Sequence, residues 1–392
     1  MELIVQKFGG VTLATTAKIK AVAERVKTLK DQGQSMIVVV SAMGQTTDSL
    51  LAQVREISSH PELREADLLL STGELISAAL LSIALNEINC PAVSLTGSQA
   101  GILTDLYHAN ASIESIAGLR IDEALKNNQV VILPGFQGVN SLGDVTTLGR
   151  GGSDTTAVAV AARMQAHRCE ILKDVSAIFT ADPRLVPAAV PIQKLSYDCL
   201  LEMTYWGAKV LQYRSVEIAK NFRVPLYIGP AHAFEQGTLV EENIMIEDSE
   251  VLALNSHETV LRVRTQQKTL MEALNWFRVF LLGENIVFPQ MLHSEISSSG
   301  VDLFMTGPKE IMVAIGQALD KKDLSTMDSL CSVTTTCRGS TRPDLLERIV
   351  GSLENHGIQV IDMLVSSISV TVFIAGSSRQ RALSLLHTMV KV

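Results

Sequence analysis

Met36-Ile37-Val38-Val39-Val40 is an unbroken apolar run, with no polar residue to mark a solvent-facing side. A strand covered on one face alternates apolar and polar residues; a central parallel strand, buried on both faces, reads as a continuous run. Upstream, Leu3 to Gln6 reads as a second strand. Between them Ile19, Val22, Ala23, Val26 and Leu29 recur with the 3.6-residue period of a helix face. Strand, helix, strand in that order predicts an α/β domain. Downstream, strands are predicted at Ala92 to Leu95, Val130 to Leu133, Glu170 to Leu172 and Leu226 to Ile228. Helices are predicted near Ser77 to Leu85, Asp122 to Lys126 and Thr155 to Met164. The turn Glu235-Gln236-Gly237 and the strand Thr238 to Val240 set the expected end of this domain, residues 1–245.

Residues 246–392 carry an internal repeat. Leu274, Phe277, Leu281, Ile286, Phe288 and Leu292 match Leu346, Ile349, Leu353, Ile358, Val360 and Leu364 at a constant spacing of 72 residues. The matched positions suit a helix followed by a strand, which predicts two copies of a small α+β unit.

Composition narrows the function classes. Of 392 residues, 47% are apolar and 19% charged, enough for a packed core and against disorder. A formal net charge of −8 argues against nucleic acid or an anionic membrane surface as the main partner. Apolar runs such as Ala78 to Leu81 are read as too short to span a bilayer, and the start MELIVQKFGG has no features of a secretory leader. Cys90, Cys169, Cys199, Cys331 and Cys337 form no CxxC pair; they read as core thiols of a reducing cytosol, and no metal site is expected.

Three loops after predicted strands carry the chemistry, since ligands of an open parallel sheet gather at the carboxyl ends of its strands. The first, Lys7-Phe8-Gly9-Gly10, sets a cation beside glycines that let a phosphate approach the backbone. The second, Ser41-Ala42-Met43-Gly44-Gln45-Thr46-Thr47-Asp48, offers hydroxyls and amides, with Thr47 or Asp48 suited to cap the next helix. The third is Thr146-Thr147-Leu148-Gly149-Arg150-Gly151-Gly152-Ser153-Asp154. It holds three glycines around an arginine and then opens an Ala/Val-rich helix whose N-terminus suits an anion. Arg150 can grip a carboxylate with its two-pronged guanidinium. Asp154 reads equally as a helix N-cap or a site residue. Glu74 is placed just before a helix, where it meets either an ammonium group or only the helix dipole. Asp174 to Arg184 mixes carboxylates, an aromatic and an arginine, as a nucleotide loop or a surface turn. Neither GxxxxGK[ST] nor GxGxxG occurs.

Taken together, KFGG, SAMGQTTDSLL, LSTGELISAALL, SLTGSQAGILT, PGFQGVN, VTTLGRGGSDTTAVAVA, FTADPR, WGAKVL and RSVEIAK stand in the order seen in aspartate kinases, and the chain resembles that family over roughly residues 1–245. The resemblance implies an amino-acid-kinase fold, with a mainly parallel sheet sandwiched by helices, followed by tandem ACT-like, ferredoxin-like regulatory units. It implies transfer of the γ-phosphoryl of ATP to L-aspartate, in a cytoplasmic homodimer, with Mg2+ carried on the ATP phosphates and lysine or threonine as effector. By matching blocks, Lys7 would contact the transferring phosphate beside Gly9 and Gly10, and Asp154 would organise the centre. Glu74 would hold the substrate ammonium and Arg150 a substrate carboxylate, with Ser41, Thr47 and Ser153 lining the same pocket. Lys173, Asp174, Phe179, Arg184 and Lys209 would surround the nucleotide.

The chain departs from the family at several of these positions. Val11-Thr12 replaces a pair of hydroxyl residues, Lys173 a small hydroxyl residue, Ala177 a glycine and Phe179 a tyrosine. Thr265-Gln266-Gln267-Lys268-Thr269 stands where an Asp-x-Pro-Gly turn is usual, which implies weak or absent feedback inhibition. Two other readings compete: a non-catalytic amino-acid sensor, and a kinase of an acylated amino acid or carbamate. Lys7, Arg150 and Asp154 speak against the first. Glu74 speaks against the second, because an acylated nitrogen leaves its charge unpaired.

Overall fold

The computed structural model describes residues 2–231, 236–242, 251–284, 286–321, 327–337 and 339–390. Glu235 of the predicted turn and the 245/246 division lie outside the described residues. The chain forms two compact units. The first gathers Met1–Ile178, Pro191–Thr204 and Lys209–Met245; the second gathers Phe179–Val190, Tyr205–Ala208 and Ile246–Val392. Two segments upstream of the expected division thus belong to the second unit.

The first unit opens with β1 (Leu3–Phe8), α1 (Thr16–Asp31), β2 (Ser35–Val40), α2 (Thr46–Ile57), α3 (Leu63–Glu87) and β3 (Ala92–Ser94). It continues through β4 (Ile102–Thr104), β5 (Ile113–Ile116), α4 (Leu119–Lys126), β6 (Val130–Pro134), β7 (Gln137–Val139), β8 (Val145–Thr147), α5 (Gly152–Arg163) and β9 (Arg168–Lys173). After the short β10 (Ile178–Phe179) and β11 (Pro191–Ile192) come β12 (Lys194–Ser196), α6 (Tyr197–Tyr205), α7 (Tyr213–Asn221), β13 (Leu226–Pro230) and β14 (Thr238–Glu241). The main sheet has the order β12-β14-β13-β9-β1-β2-β6-β3. Its strands run parallel except where β13 meets β14. The apolar run of β2 is buried on both faces, as its pattern predicts. Met36, Val38 and Val40 pack with Ile19, Val22, Ala23 and Val26 of α1 and with Leu81 and Leu85 of α3. Ile37 and Val39, equally buried, point to the opposite face, where α5 packs on β1, β2 and β9. A second small sheet, β5-β4-β7-β8, had no periodic signature, because its strands are three or four residues long.

Helix α3 differs from its prediction in length. It begins at Leu63, so Glu74 sits inside it rather than before it. Gly73, one residue before it, is a packing residue of the same helix: a Cβ there would lie 2.9 Å from the Cβ of Ala42. By length and composition α3 is apolar enough to cross a membrane, contrary to the expectation from short apolar runs. Within the unit, however, it buries Asp67, Ser71, Glu74 and Ser77 together with Leu81 and Leu85, as a core helix does.

The second unit contains β15 (Val251–Asn255), β16 (Val260–Thr265), α8 (Leu270–Gly283), β17 (Gln290–Ser297), β18 (Gly300–Thr306) and α9 (Lys309–Lys321). It ends with β19 (Met327–Cys337), α10 (Pro343–Glu354), β20 (Asp362–Val365), β21 (Ser369–Ala375) and α11 (Arg379–His387). Its sheet runs β17-β18-β16-β19-β21-β20, with β15 also on β19. This is two ferredoxin-like βαββαβ copies sharing one strand. The beginning of β19 pairs with β16 as the last strand of the first copy. Its end pairs with β15, so it is also the first strand of the second copy, whose last strand comes from upstream. The 72-residue repeat therefore matches α8 with α10 and β17 with β20. The upstream segments are core material here: Ala181 and Val186 pack with Val251, Leu254 and Val333, and Trp206 with Val260, Phe304 and Phe373. Where the Asp-x-Pro-Gly turn is missing, α8 starts on a capping box between Thr269 and Glu272.

Gly73→Ala tests the tightness of α3. In an exposed helix this change stabilises by about 1 kcal/mol. Here the clash with Ala42 costs about 1–3 kcal/mol, so thermal unfolding is expected to show net destabilisation.

Candidate active site

The registers of the main sheet bring several loops to one edge. Phe8 pairs with Val40 and with Leu172, and Val40 with Pro134. The ladder continues one step further, with Ser41 N donating to Phe8 O at 3.1 Å, Gly9 N to Leu172 O at 3.3 Å and Gly135 N to Val40 O at 2.9 Å. Gly9, Ser41, Gly135 and Lys173 thus lie side by side at the carboxyl edge. Gly10 must be glycine, because a Cβ there would lie 2.7 Å from Ala42 O. That approach stitches the first two loops together through Gly44 N to Gly10 O, 3.0 Å.

Helix α5 comes down on this edge. Its N-cap is Gly151, at φ 70°, and no side chain caps it. Asp154 therefore lies in the first turn with its carboxylate free for other partners. A Cβ on Gly135 would lie 2.6 Å from the Cβ of Ser153, so Gly135 lets the helix start approach the sheet. The buried Asp154 carboxylate is then held between two lysines. Lys7 Nζ lies 2.7 Å from Oδ1 and Lys173 Nζ lies 2.9 Å from Oδ2. Lys173 also donates to Val210 O at 2.5 Å. Burial alone pushes the Asp154 carboxyl up, but the two ammonium groups outweigh it and hold the group below the usual carboxylate range. One negative charge between two positive ones leaves a net positive floor. A cleft of about 120 Å³ opens onto it, lined by Lys7, Gly9, Gly10 and Lys173, with Val11, Thr12 and Asp174 at its sides. Its chemistry suits the phosphate chain of a nucleotide.

Glu74 is only 3% exposed. Its Oε1 accepts from Ala42 N at 3.2 Å, while Oε2 is buried with no hydrogen-bond partner among the described residues. Burial pushes this carboxyl up to about 7, against the opposing pull of the Ala42 amide and the Lys7 charge. A half-satisfied buried carboxylate is prepared for a cationic ligand.

The remaining expected residues fall in different places. Ser153 is buried at the α5 start; Ser41 and Thr47 are half-buried, and neither Thr47 nor Asp48 caps α2, which starts from Gln45 without a side-chain cap. Arg150 is exposed at the tip of its loop, and Asp174 is exposed at the cleft. Lys209 is exposed too, and it is the carbonyl of its neighbour Val210 that meets Lys173. Phe179 and Arg184 belong to the second unit. Arg184 folds back on Asp182, with Nε 3.0 Å from Oδ1 and Nη2 2.7 Å from Oδ2.

One residue escaped the sequence reading. Asp67 of α3 is fully buried and accepts from Ala109 N, from Thr147 N at 3.0 Å and from Thr147 Oγ1 at 2.5 Å, and His108 Nδ1 lies 2.9 Å away. The available signal was its position, two helical turns before Glu74 on the same face of an apolar helix.

The amino acid kinase family profile matches residues 2–230. An aspartokinase of Geobacillus stearothermophilus is 39% identical, over 99% of this chain and 97% of its own length. Aspartokinase 2 of Bacillus subtilis is 36% identical, again over 99% and 97%. Among solved structures, E. coli aspartokinase III in complex with aspartate and ADP superposes with a TM-score of 0.81 over 99% of both chains, at 24% identity, a likeness of fold. The aspartate kinase of Synechocystis is 32% identical with a TM-score of 0.58, covering 98% of this chain and 68% of that one. With a family match over more than half of its length and relatives above 30% identity along nearly all of it, the chain belongs to the amino acid kinase family, among the aspartokinases.

Proposed function

We infer that this protein transfers the γ-phosphoryl group of ATP to the side-chain carboxylate of L-aspartate, giving ADP and 4-phospho-L-aspartate, the entry step to lysine, threonine and methionine. The observation that carries the reading is the buried Lys7–Asp154–Lys173 cluster at the sheet edge, with Glu74 as an ammonium-seeking carboxylate on the adjoining helix. The relatives' names point the same way, and E. coli aspartokinase III is known with aspartate and ADP bound.

The attacking group is already an anion, so no general base is needed. A carboxylate oxygen forms the new bond to the γ-phosphorus while the bond to the ADP oxygen breaks. The barrier lies in bringing two anions together and neutralising the charge spread over the phosphoryl oxygens. Lys7, Lys173, the amide of Gly10 and the α5 N-terminus supply that field in a site already organised before substrate arrives. Asp154 orients the two lysines. Ionised Glu74 pairs with the substrate ammonium and Arg150 with its carboxylate, with Ser41, Thr47 and Ser153 around them. Mg2+ would supply further neutralisation from the phosphate oxygens. The cleft suits that arrangement, since its two lysines seek the anionic phosphates that would carry the ion. Asp174, Phe179, Arg184 and Lys209 are assigned to the nucleotide by the family pattern.

Residues 1–245 act as the catalytic part and 246–392 as an ACT-like regulatory part, in a cytoplasmic homodimer. E. coli aspartokinase III is known with lysine bound. In this chain the Thr269–Glu272 capping box stands in place of the effector-cradling turn, so feedback is weak.

In an assay with ATP, Mg2+ and L-aspartate, trapping the acyl phosphate with hydroxylamine, the wild type gives aspartate-dependent hydroxamate and Asp154→Ala gives none. Absence of product from the wild type would refute the reading. Lysine and threonine, singly or together, lower the initial rate slightly or not at all; strong inhibition would return a working effector site to the second unit.

Glu74 links pH to both stability and binding. Its folded pKa lies above the unfolded value of 4.5, so the folded state favours the protonated form. Stability is therefore lost as pH rises from 4.5 through about 7 and is level above that. Glu74→Gln is expected to match the wild type at pH 4 and to exceed it at pH 8 by roughly 3 kcal/mol, measured by denaturant unfolding without ligand. The same variant raises the aspartate KM, and the wild-type aspartate KM falls between pH 6 and 8 as Glu74 ionises.

A further inference from the structure

Glycine loops buy a close backbone approach at the cost of stiffness. The loop that carries Arg150 has two glycines in the left-handed region, Gly149 at φ 75° and Gly151 at φ 70°, and its arginine is exposed. Something outside the loop must hold it if Arg150 is to meet one end of a small zwitterion whose other end rests on Glu74.

The anchor is Asp67. Its carboxylate takes both the amide and the hydroxyl of Thr147, the last residue of β8, at 3.0 and 2.5 Å. The same carboxylate takes Ala109 N at 3.0 Å and pairs with His108 Nδ1 at 2.9 Å, which secures the neighbouring segment. That segment reinforces the loop in turn, since Ala111 N donates to Thr147 O at 2.8 Å. Arg214 closes the far side, donating to Ala111 O at 2.9 Å and to Asn110 Oδ1 at 3.2 Å. Asp67 and Glu74 lie seven residues apart on the same helix, about 10 Å along its axis. One rigid element thus carries both the ammonium-binding carboxylate and the mooring of the arginine loop.

We propose that Asp67 is a positioning residue for the amino-acid substrate, fixing the Gly149–Gly152 loop, and with it Arg150, at a set distance from Glu74. This rests on the aspartate kinase reading for the identity of the substrate, but the mooring itself does not. Asp67 touches neither β1 nor β9, which carry the phosphate-side lysines. Asp154 is held independently, by those lysines and by the packing of α5, where Phe136 N donates to Thr156 Oγ1 at 3.1 Å. Loosening the mooring therefore weakens aspartate binding and spares ATP binding.

Asp67→Asn removes the charge and one of the two acceptor oxygens that hold the loop; Thr147→Val removes only the hydroxyl contact and covers the case in which the first variant does not fold. Initial rates would be measured on the full chain with each substrate varied, together with amide hydrogen exchange of the peptide spanning residues 146–152. The expected result is an aspartate KM raised about tenfold in Asp67→Asn and less in Thr147→Val, with the ATP KM within about twofold of wild type. Exchange at Leu148 and Gly152 becomes faster in the same order. An aspartate KM that does not move, two KM values rising together, or unchanged exchange would overturn the proposal. A wild type without aspartate-dependent turnover would refute the function reading instead, and the exchange data would then decide the mooring alone.

Discussion

A carboxylate buried without a partner costs several kcal/mol, and one held between two ammonium groups imposes geometry on everything that carries them. Asp154 is in that position. Lys7 comes from β1, Lys173 from β9 and Asp154 from the first turn of α5, so the strand register and the approach of the helix must both be right for the cluster to exist. Gly135 permits the approach, since any Cβ there would run into Ser153. A buried ion pair of this kind is weak evidence for stability. Its value lies in a fixed positive field at the floor of the cleft, where a phosphoryl group is effectively stabilised.

Helix α3 shows how environment divides the work between two carboxylates. Asp67 is saturated with hydrogen bonds and serves as structure. Glu74, two turns on, has one oxygen satisfied and one not, and burial raises its pKa. The second arrangement costs folding free energy above pH 4.5, a cost that a ligand ammonium offsets on binding.

The second unit illustrates a different constraint. Two βαββαβ copies that share β19 cannot be separated without exposing a sheet edge in each. The unit also draws on Phe179–Val190 and Tyr205–Ala208, so Ala181, Val186 and Trp206 are buried in its clusters rather than in those of the segments that flank them in sequence. A chain cut at residue 245 would leave those apolar surfaces uncovered. For the same reason, part of the loop that the family pattern assigns to the nucleotide is built into the core of the second unit.

The parallel sheet, the α1 face and the two-copy repeat were legible because each rests on apolar periodicity, a local property that burial enforces residue by residue. Lys7, Arg150, Asp154 and the glycine loops were legible as candidates because glycine and charge at strand ends are chemically distinctive. Their partners were not. Whether Asp154 caps its helix or binds two lysines depends on what the fold brings within 3 Å of it, and no spacing in the chain encodes that. Asp67 stayed hidden because a buried acid looks like a surface acid until its donors, Thr147 and Ala109, are brought in from far along the chain. The packing role of Gly73 was hidden for the same reason, its need for a bare Cα arising from Ala42 across a packing interface. Apolar periodicity set the long strands and helices of the main sheet and the repeat, and composition set the residue types at their ends; packing alone settled which charges meet, because pairing follows through-space distances that no local pattern encodes.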